Sequence, residues 1–469
     1  MCGIVGIVSN GDSVAPDLVF SLRQLQHRGK NGAGLVTSDG EEFFSRKGLG
    51  TVEVVFGSNG IHEMRGRVGI AHVRYSTTGE GSIAHTHPYE GIFREKKFAL
   101  AHNGNLVQLE ALLVRLQSKG YPELAAIRSI EEISDTQLIT LMLTHSEEGT
   151  FLDALRSVLN SVQGTYSIVA LYDGQVYACR DHSGNRPLVI GSGRGISVVV
   201  SESAVCDTLG IRMEREVAPG EVVILTPGIY PKHCTNTSDK LFNRSGANQA
   251  HCSFEHIYFL RPDSVFDGKR AQIVRENLGR ALWKEHKDKI GGVTAVVPVP
   301  DSGLAAGIGF SEESGIPLTQ ALIRYHYSGR TFIDLHDKRE KGLQMKFGLI
   351  PEHVNGKNIF VLDDSLVRAT TMRKLVSMAK DAGAARVDVG ISSPLYIEPC
   401  HYGIDTYRVH NELAAKRHRG DVEGIRKEIR ADGLYYLSVD SLQKVLADSA
   451  APNRYCYACF TGKYPIPIV

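Results

Sequence analysis

The chain opens MCGIVGIVSN, which places Cys2 directly behind Met1. Removal of Met1 leaves a cysteine carrying both a thiol and a free α-amine, a nucleophile and a base on one residue. The ordinary pKa of that amine is about 7.7–8.0, so it accepts a proton near neutral pH. Cysteine is also a small core hydrophobe, and Cys2 alone is equally compatible with packing. A second stretch able to do chemistry is V-L-D-D-S-L-V-R-A-T-T at 361–371. Asp363 and Asp364 end an apolar run there, and Ser365, Arg368, Thr370 and Thr371 follow at the start of a helical pattern. Backbone N–H groups at a helix N-terminus bind phosphate, and two acids suit ribose hydroxyls or a bridging Mg²⁺. The plain alternative is a strand running into a capped helix. The third is C-Y-A-C at 456–459, for which zinc, redox and packing roles compete.

The elements that must position these groups differ between the two halves. Up to about residue 245 short β-like runs dominate: CGIVGIV, RVGIAHVRYS, KFALAHNGNL, YSIVALYDG, GISVVVSES and GEVVILTP. Apolar spacings of three and four predict helices near 15–26, 106–118, 134–146 and 152–163, giving an α+β layered domain. The polar stretch 233–250 reads as a linker. Beyond it, helices near 270–286, 303–313 and 370–383 alternate with strands at 294–300 and 357–364 and at RVDVGISSPL. That alternation predicts a parallel α/β sheet, whose ligands bind at the carboxyl ends of the strands, where Asp363 and Asp364 stand.

Composition narrows the class. A chain of 469 residues is too long for one core. A formal net charge of +1 gives no electrostatic case for nucleic acid or an anionic membrane. No apolar run approaches the roughly 20 residues of a membrane span, and no secretory signal is recognisable, so a cytoplasmic protein is expected. In a reducing compartment the eight cysteines are not a disulfide framework.

Polar clusters interrupt the first half at Q-H-R-G (26–29), H-V-R-Y-S-T-T-G (72–79), H-N-G-N (102–105) and I-S-D-T (133–136). Singly each has a plain reading: Asn103-Gly104 as a hairpin turn, Ser134 or Asp135 as a helix cap. Together with CGIVG, R-D-x-x-G-x-R-P-L (180–188), S-E-S (201–203) and A-P-G-E (218–221), they make this half resemble class II glutamine amidotransferase domains, which are N-terminal-nucleophile hydrolases. The resemblance implies an α/β/β/α fold with Cys2 as nucleophile. It also implies Asn103 and Gly104 as oxyanion donors, Arg74 on the glutamine carboxylate, Asp135 on its ammonium, and Tyr75 and Thr77 in the same pocket. Lys30 and Asn31 depart from the family, which commonly has Gln or Pro and an acid there.

The second half resembles type I phosphoribosyltransferases through 361–371, P-V-P-D-S (298–302), Y-S-G-R-T-F (327–332) and F-L-R-P-D-S (259–264). With the first half, nearly the whole chain is similar to the glutamine phosphoribosylpyrophosphate (PRPP) amidotransferase family. That implies PRPP and Mg²⁺ held by Asp363, Asp364, Ser365, Arg368, Thr370, Thr371, Ser302 and Arg330, with Tyr327, Gly329 and Arg330 in a lid. Departures are Ala369 for a usual Gly, and the segments 324–328 and 344–348. The contexts CSFEHIYFLRPDS, PCHYGID and CYACFTGKYP match cluster-bearing members of the family. They imply Cys252, Cys400, Cys456 and Cys459 as ligands of a [4Fe–4S] cluster, with Cys₄ zinc as the rival. Cys179, Cys206 and Cys234 match no ligand position.

The expectation is therefore two domains, 2–245 and 246–469. The first releases ammonia from glutamine and the second attaches it to C1 of PRPP, giving 5-phosphoribosylamine, glutamate and pyrophosphate, the first step of purine synthesis. Ala369 and its neighbours motivate a second reading, the same glutaminase with another phosphorylated acceptor. A third is a non-enzymatic regulator that binds PRPP or nucleotides. The family also implies a homotetramer and purine nucleotide effectors. Simple removal of Met1 is expected to suffice for maturation.

Overall fold

The computed structural model describes residues 1–57, 61–75, 82–228, 239–240, 249–325, 347–404, 406–407, 409–447 and 454–468. The expected domain boundary at 245/246 lies outside the described residues.

Among the described residues the first half holds one sheet of seven strands and one of six. The apolar run behind Cys2 becomes the strand Gly3–Ser9, buried along its length and central to the larger sheet. It pairs antiparallel with Val68–Arg74 on one side and Ile196–Val200 on the other. This fixes the segment after Cys2 from both edges, so the nucleophile does not fray. In the smaller sheet, Lys96–Leu106 pairs with Gly164–Tyr172 over nine residues, among them Asn103↔Ser167 and Gly104↔Tyr166. The β-like run expected at KFALAHNGNL is a strand that stays paired through the N-G, and the plain alternative of a hairpin turn at Asn103-Gly104 does not occur.

A core of Ile4, Val8, Ile70, Ala99, Ala101, Val169 and Val176 lies between the two sheets. Outside one sheet the helix Ala15–Gln24 buries Leu18, Val19 and Leu22; outside the other, Asp135–Thr144 and Phe151–Ser161 bury their apolar faces. This is the helix/sheet/sheet/helix layering expected. The helix Leu109–Ser118 begins three residues later than its apolar spacing suggested, because the strand runs on through Leu106.

The second half is built on a four-stranded parallel sheet, in the spatial order Ala295–Pro298, Asn358–Asp363, Arg386–Ile391, Gly433–Tyr436. Helices cover both faces. Ala271–His286 and Leu304–Ser314 pack with Phe360 and Leu362 on one side, and Thr370–Asp381 packs with Val361 and Val389 on the other. A short parallel pair, His251–Cys252 with Tyr455–Cys456, closes the domain on itself. No described helix is long and apolar enough to cross a membrane.

Candidate active sites

Cys2 stands at the mouth between the two sheets of the first half, partly exposed. Its backbone N–H donates to Asn103 Oδ1 at 3.2 Å, and Sγ lies 3.9 Å from the Tyr75 carbonyl. The Asn103 side chain is buried, and with Oδ1 occupied, its Nδ2 has no partner among the described residues. A buried amide donor left open costs stability unless something fills it, so this N–H₂ marks where an acceptor is wanted. Gly104 follows in the strand, and a Cβ there would collide with the Thr165 carbonyl, so only glycine lets the two strands close. The α-amine of Met1 is buried, and desolvation lowers its pKa to about 5. Burial in this position favours the neutral amine.

Arg74 ends its strand buried, with Nη1 donating to Ser82 O at 3.2 Å. Gly29 of Q-H-R-G abuts the Arg74 backbone, where a Cβ would collide. Asn31 contributes through its backbone, whose N–H donates to Arg74 O at 3.0 Å, and Lys30 is exposed. Ser134 is the helix cap, in a reciprocal capping box with Gln137, which leaves Asp135 at the first helical position. Asp135 accepts from the Leu106 N–H at 3.2 Å and lies 3.5 Å from His102 Nδ1. Burial pushes its pKa up, but His102 and these hydrogen bonds prevail and hold it at about 2. Asp135 and Arg74 act with opposite sign on the buried Tyr89 phenol, and Arg74 also feels Cys2. Arg74, Asp135, Cys2 and Asn103 are thereby brought near one another. Tyr75 is exposed with its carbonyl toward Cys2, and Thr77 lies outside the described residues.

One functional group was not singled out in the sequence. Arg28 is fully buried: Nε donates to Cys2 O at 2.9 Å, and its other nitrogens bridge Glu202 at 2.6 Å and Glu255 at 2.8 Å. The signal was available, since Q-H-R-G and S-E-S both put charge beside apolar runs.

In the second half Asp363 and Asp364 sit at the carboxyl end of their strand. Ser302 Oγ and the Asp364 N–H both donate to Asp363 Oδ1, at 2.8 and 2.9 Å. Ser365 Oγ donates to Asp364 Oδ2 at 2.7 Å. Burial, together with the neighbouring acid, pushes the Asp363 pKa well up; burial raises that of Asp364 as well. Two adjacent buried carboxyls cannot both ionise cheaply without a cation. Arg275, buried from the helix side, faces Asp364 and partly offsets it. Gly303 packs against the Leu362 carbonyl, where any Cβ would clash. Ala369 adopts φ +67, ψ −17, the left-handed region, at the cap of Thr370–Asp381. Thr370 and Thr371 are the first two residues of that helix, and Arg368 reaches Glu412 at 3.4 Å. Arg324 pairs with Asp301 at 2.5 Å. Tyr327, Gly329, Arg330 and the segment 344–346 lie outside the described residues.

The four cysteines gather at the domain junction. Cys252 and Cys456 are register partners in the short parallel pair. The Cys459 carbonyl accepts from the N–H groups of Ile397 and Glu398, which brings the Cys400 loop alongside. Burial raises the Cys459 thiol well above its ordinary pKa, and Cys456, Cys400 and Cys252 each add to the effect. Among the described residues no group of three or more His, Cys, Asp and Glu side chains is placed to hold a metal ion. Cys179 and Cys206 are buried in the first domain's cores, and Cys234 lies outside the described residues.

Fold and site define an N-terminal-nucleophile, class II glutamine amidotransferase domain joined to a phosphoribosyltransferase domain. Residues 1–121 match the model of glutamine amidotransferases class-II, and residues 80–206 that of a glutamine amidotransferase domain. An amidophosphoribosyltransferase of Bacillus subtilis is 38% identical over 474 residues, covering 100% of this chain and 94% of its own length. The structure of glutamine PRPP amidotransferase from B. subtilis complexed with ADP and GMP superposes with a TM-score of 0.87 at 37% identity, covering 100% of this chain and 98% of that one. A structure described as the allosteric regulatory enzyme of purine biosynthesis superposes at 0.89 and 37% identity, covering 100% and 97%. The chain belongs to the amidophosphoribosyltransferase family. Similarity through both halves supports the PRPP reading over another acceptor or a non-enzymatic regulator.

Proposed function

We propose that the two sites act in sequence and that the open Asn103 Nδ2 beside Cys2 is the observation that carries the first. After Met1 is removed, the Cys2 amine stays near Asn103 Oδ1 and takes the thiol proton. The thiolate adds to the side-chain amide carbon of glutamine. The resulting oxyanion accepts from Asn103 Nδ2 and the Gly104 N–H. Collapse breaks the C–N bond, the amine returns its proton to the leaving nitrogen, and ammonia departs from a γ-glutamyl thioester. Water then releases glutamate. Arg74 grips the substrate carboxylate and Asp135, ionised throughout the neutral range, its ammonium. At the second site ammonia attacks C1 of PRPP and pyrophosphate leaves, forming 5-phosphoribosylamine.

Asp363 and Asp364 are the residues that would hold Mg²⁺, and their mutual burial fits a cation. When bound, the ion offsets charge between these acids and pyrophosphate. Ser302, Ser365, Arg368, Thr370, Thr371 and the helix N-terminus hold phosphate and ribose, with Arg330 from a lid that excludes water. We take Ala369, 324–328 and 344–348 as changes within this activity. Cys252, Cys400, Cys456 and Cys459 are assigned to a [4Fe–4S] cluster of structural role, supported by the in-register Cys252–Cys456 pair and the Cys400 loop beside Cys459. A cytoplasmic homotetramer sensitive to purine nucleotides completes the reading.

Pyrophosphate release with glutamine and PRPP, alongside mass-spectrometric trapping of Cys2 by a glutamine-analogue electrophile, tests the scheme. Trapping without pyrophosphate would remove the PRPP half; no trapping would remove both. Iron and acid-labile sulfide analysis of anaerobically purified protein decides the cluster against zinc.

A further inference from the structure

The strand that carries both oxyanion donors is gripped from the other domain. Asn105, next after Gly104, donates Nδ2 to the His401 carbonyl at 2.9 Å and to its own neighbour Leu106 O at 2.9 Å. Gly403 lies on the Gly104 carbonyl: a Cβ there would stand 3.1 Å from Gly104 O and 3.2 Å from Gly104 C, and its φ is +111. Between them, the Tyr402 carbonyl accepts from Thr165 Oγ1 at 3.1 Å and from fully buried Arg186, whose Nε is 3.1 Å away and whose Nη2 also donates. Thr165 is the ladder partner of Asn105. Tyr402 is itself locked: its N–H donates to Cys400 Sγ at 3.3 Å, and its hydroxyl exchanges hydrogen bonds with Ile466 at 2.5 and 2.9 Å.

We propose that the loop 400–403 of the phosphoribosyl domain is a positioning element of the glutaminase, holding 103–105 so that the two oxyanion donors converge. The inference rests on the roles assigned above to Asn103 and Gly104. The ladder pairs Gly104 with Tyr166 from within the first domain, and the contacts from 401 and 403 hold the same stretch from the second. They act directly on the donor stretch and reach Asp135 only through Leu106, so their loss slows turnover of bound glutamine more than it loosens its capture. Misplacement by about 1 Å at a reacting group can cost about 100-fold in rate.

The test uses the full-length protein in its purified metal-loaded form, with Gly403→Ala and Asn105→Ala. Four quantities are read: kcat and KM for glutamine hydrolysis, pyrophosphate release driven by ammonium salts, and the rate of Cys2 alkylation by iodoacetamide. The expected result is a fall in glutamine kcat of about 10- to 100-fold for Gly403→Ala and about 10-fold for Asn105→Ala. KM stays within about threefold, and ammonium-driven release and alkylation stay within about twofold. Equal loss of glutamine- and ammonium-driven activity, a rise confined to KM, or an unchanged kcat in both variants each overturns the proposal. Should Gly403→Ala fail to fold, Asn105→Ala decides alone. Should the wild type release no pyrophosphate from either nitrogen source, the PRPP reading fails while the hydrolysis split still decides this one.

Discussion

In the proposed scheme Asn103 is the residue on which the glutaminase chemistry turns. Its Oδ1 is used by Cys2 and its Nδ2 is left buried and open. Replacing it by Ala removes one oxyanion donor, and loss of one such donor typically costs about 10²–10³ in kcat. Steady-state glutamine hydrolysis is expected to show that fall with KM little changed. Asp135 sets the acid limit of the same site. Its folded pKa, about 2, lies below the roughly 3.9 of an unfolded aspartate. Its contribution to stability is therefore fully present above pH about 4 and lost as pH falls through about 2. Acid titration of the wild type against Asp135→Asn checks this: the gap between the two should close only toward pH 2. A gap that closed at pH 6 would show that another group holds the helix end.

At the scale of elements, the cap of Thr370–Asp381 carries backbone strain. Ala369 sits in the left-handed region, which disfavours any residue with a Cβ by roughly 1 kcal/mol or more. Ala369→Gly relieves that cost and loses some of it again to the more flexible unfolded chain. A net gain of about 0.5–1 kcal/mol in a denaturant titration is expected; a loss would mean that the Ala369 methyl, buried against the helix core, matters more than its dihedral. The paired acids make a second prediction. Burial and the neighbouring acid push the Asp363 pKa well up, which favours its protonated form when no cation is present, so loading Mg²⁺ and PRPP is expected to promote proton release. Calorimetry in two buffers of different ionisation enthalpy measures it, and buffer-independent heats would refute it.

These elements also show what was legible in the sequence. Strand–helix alternation gave the parallel sheet, and the apolar CGIVGIV gave the strand behind the nucleophile, because both are local periodicities. The alternative of a turn at Asn103-Gly104 could not be discarded from the dipeptide itself, since the pairing with Gly164–Tyr172 that overrides its preference is non-local. Ala369 was noticed as a departure from a glycine, yet only the structure shows that a positive φ is what the glycine would have served. The charges in Q-H-R-G and S-E-S were legible, but their pairing was not, because Glu202 and Glu255 lie far along the chain from Arg28.

For the whole molecule, the two domains share a buried charged cluster. Arg28 joins Glu202 of its own domain to Glu255 of the other, and Arg186 approaches Glu255 at 3.6 Å. Removing one partner of a buried pair typically costs about 3–5 kcal/mol, because the remaining charge is stranded. Glu255→Ala should therefore lower stability by about 3 kcal/mol and loosen the hold on the Cys2 carbonyl, with chemical denaturation as the check. A cost below about 1 kcal/mol would mean that Glu202 alone satisfies Arg28.

The pairing of His251–Cys252 with Tyr455–Cys456 has a consequence for synthesis. Domains generally fold in the order they leave the ribosome, yet the strand that opens this one waits about 200 residues for its mate. The glutaminase layers can assemble early. Their neighbour stays ajar until the final cysteines emerge, so a ribosome stalled before Cys456 would present a finished first domain beside an unclosed second one, a ready substrate for quality control.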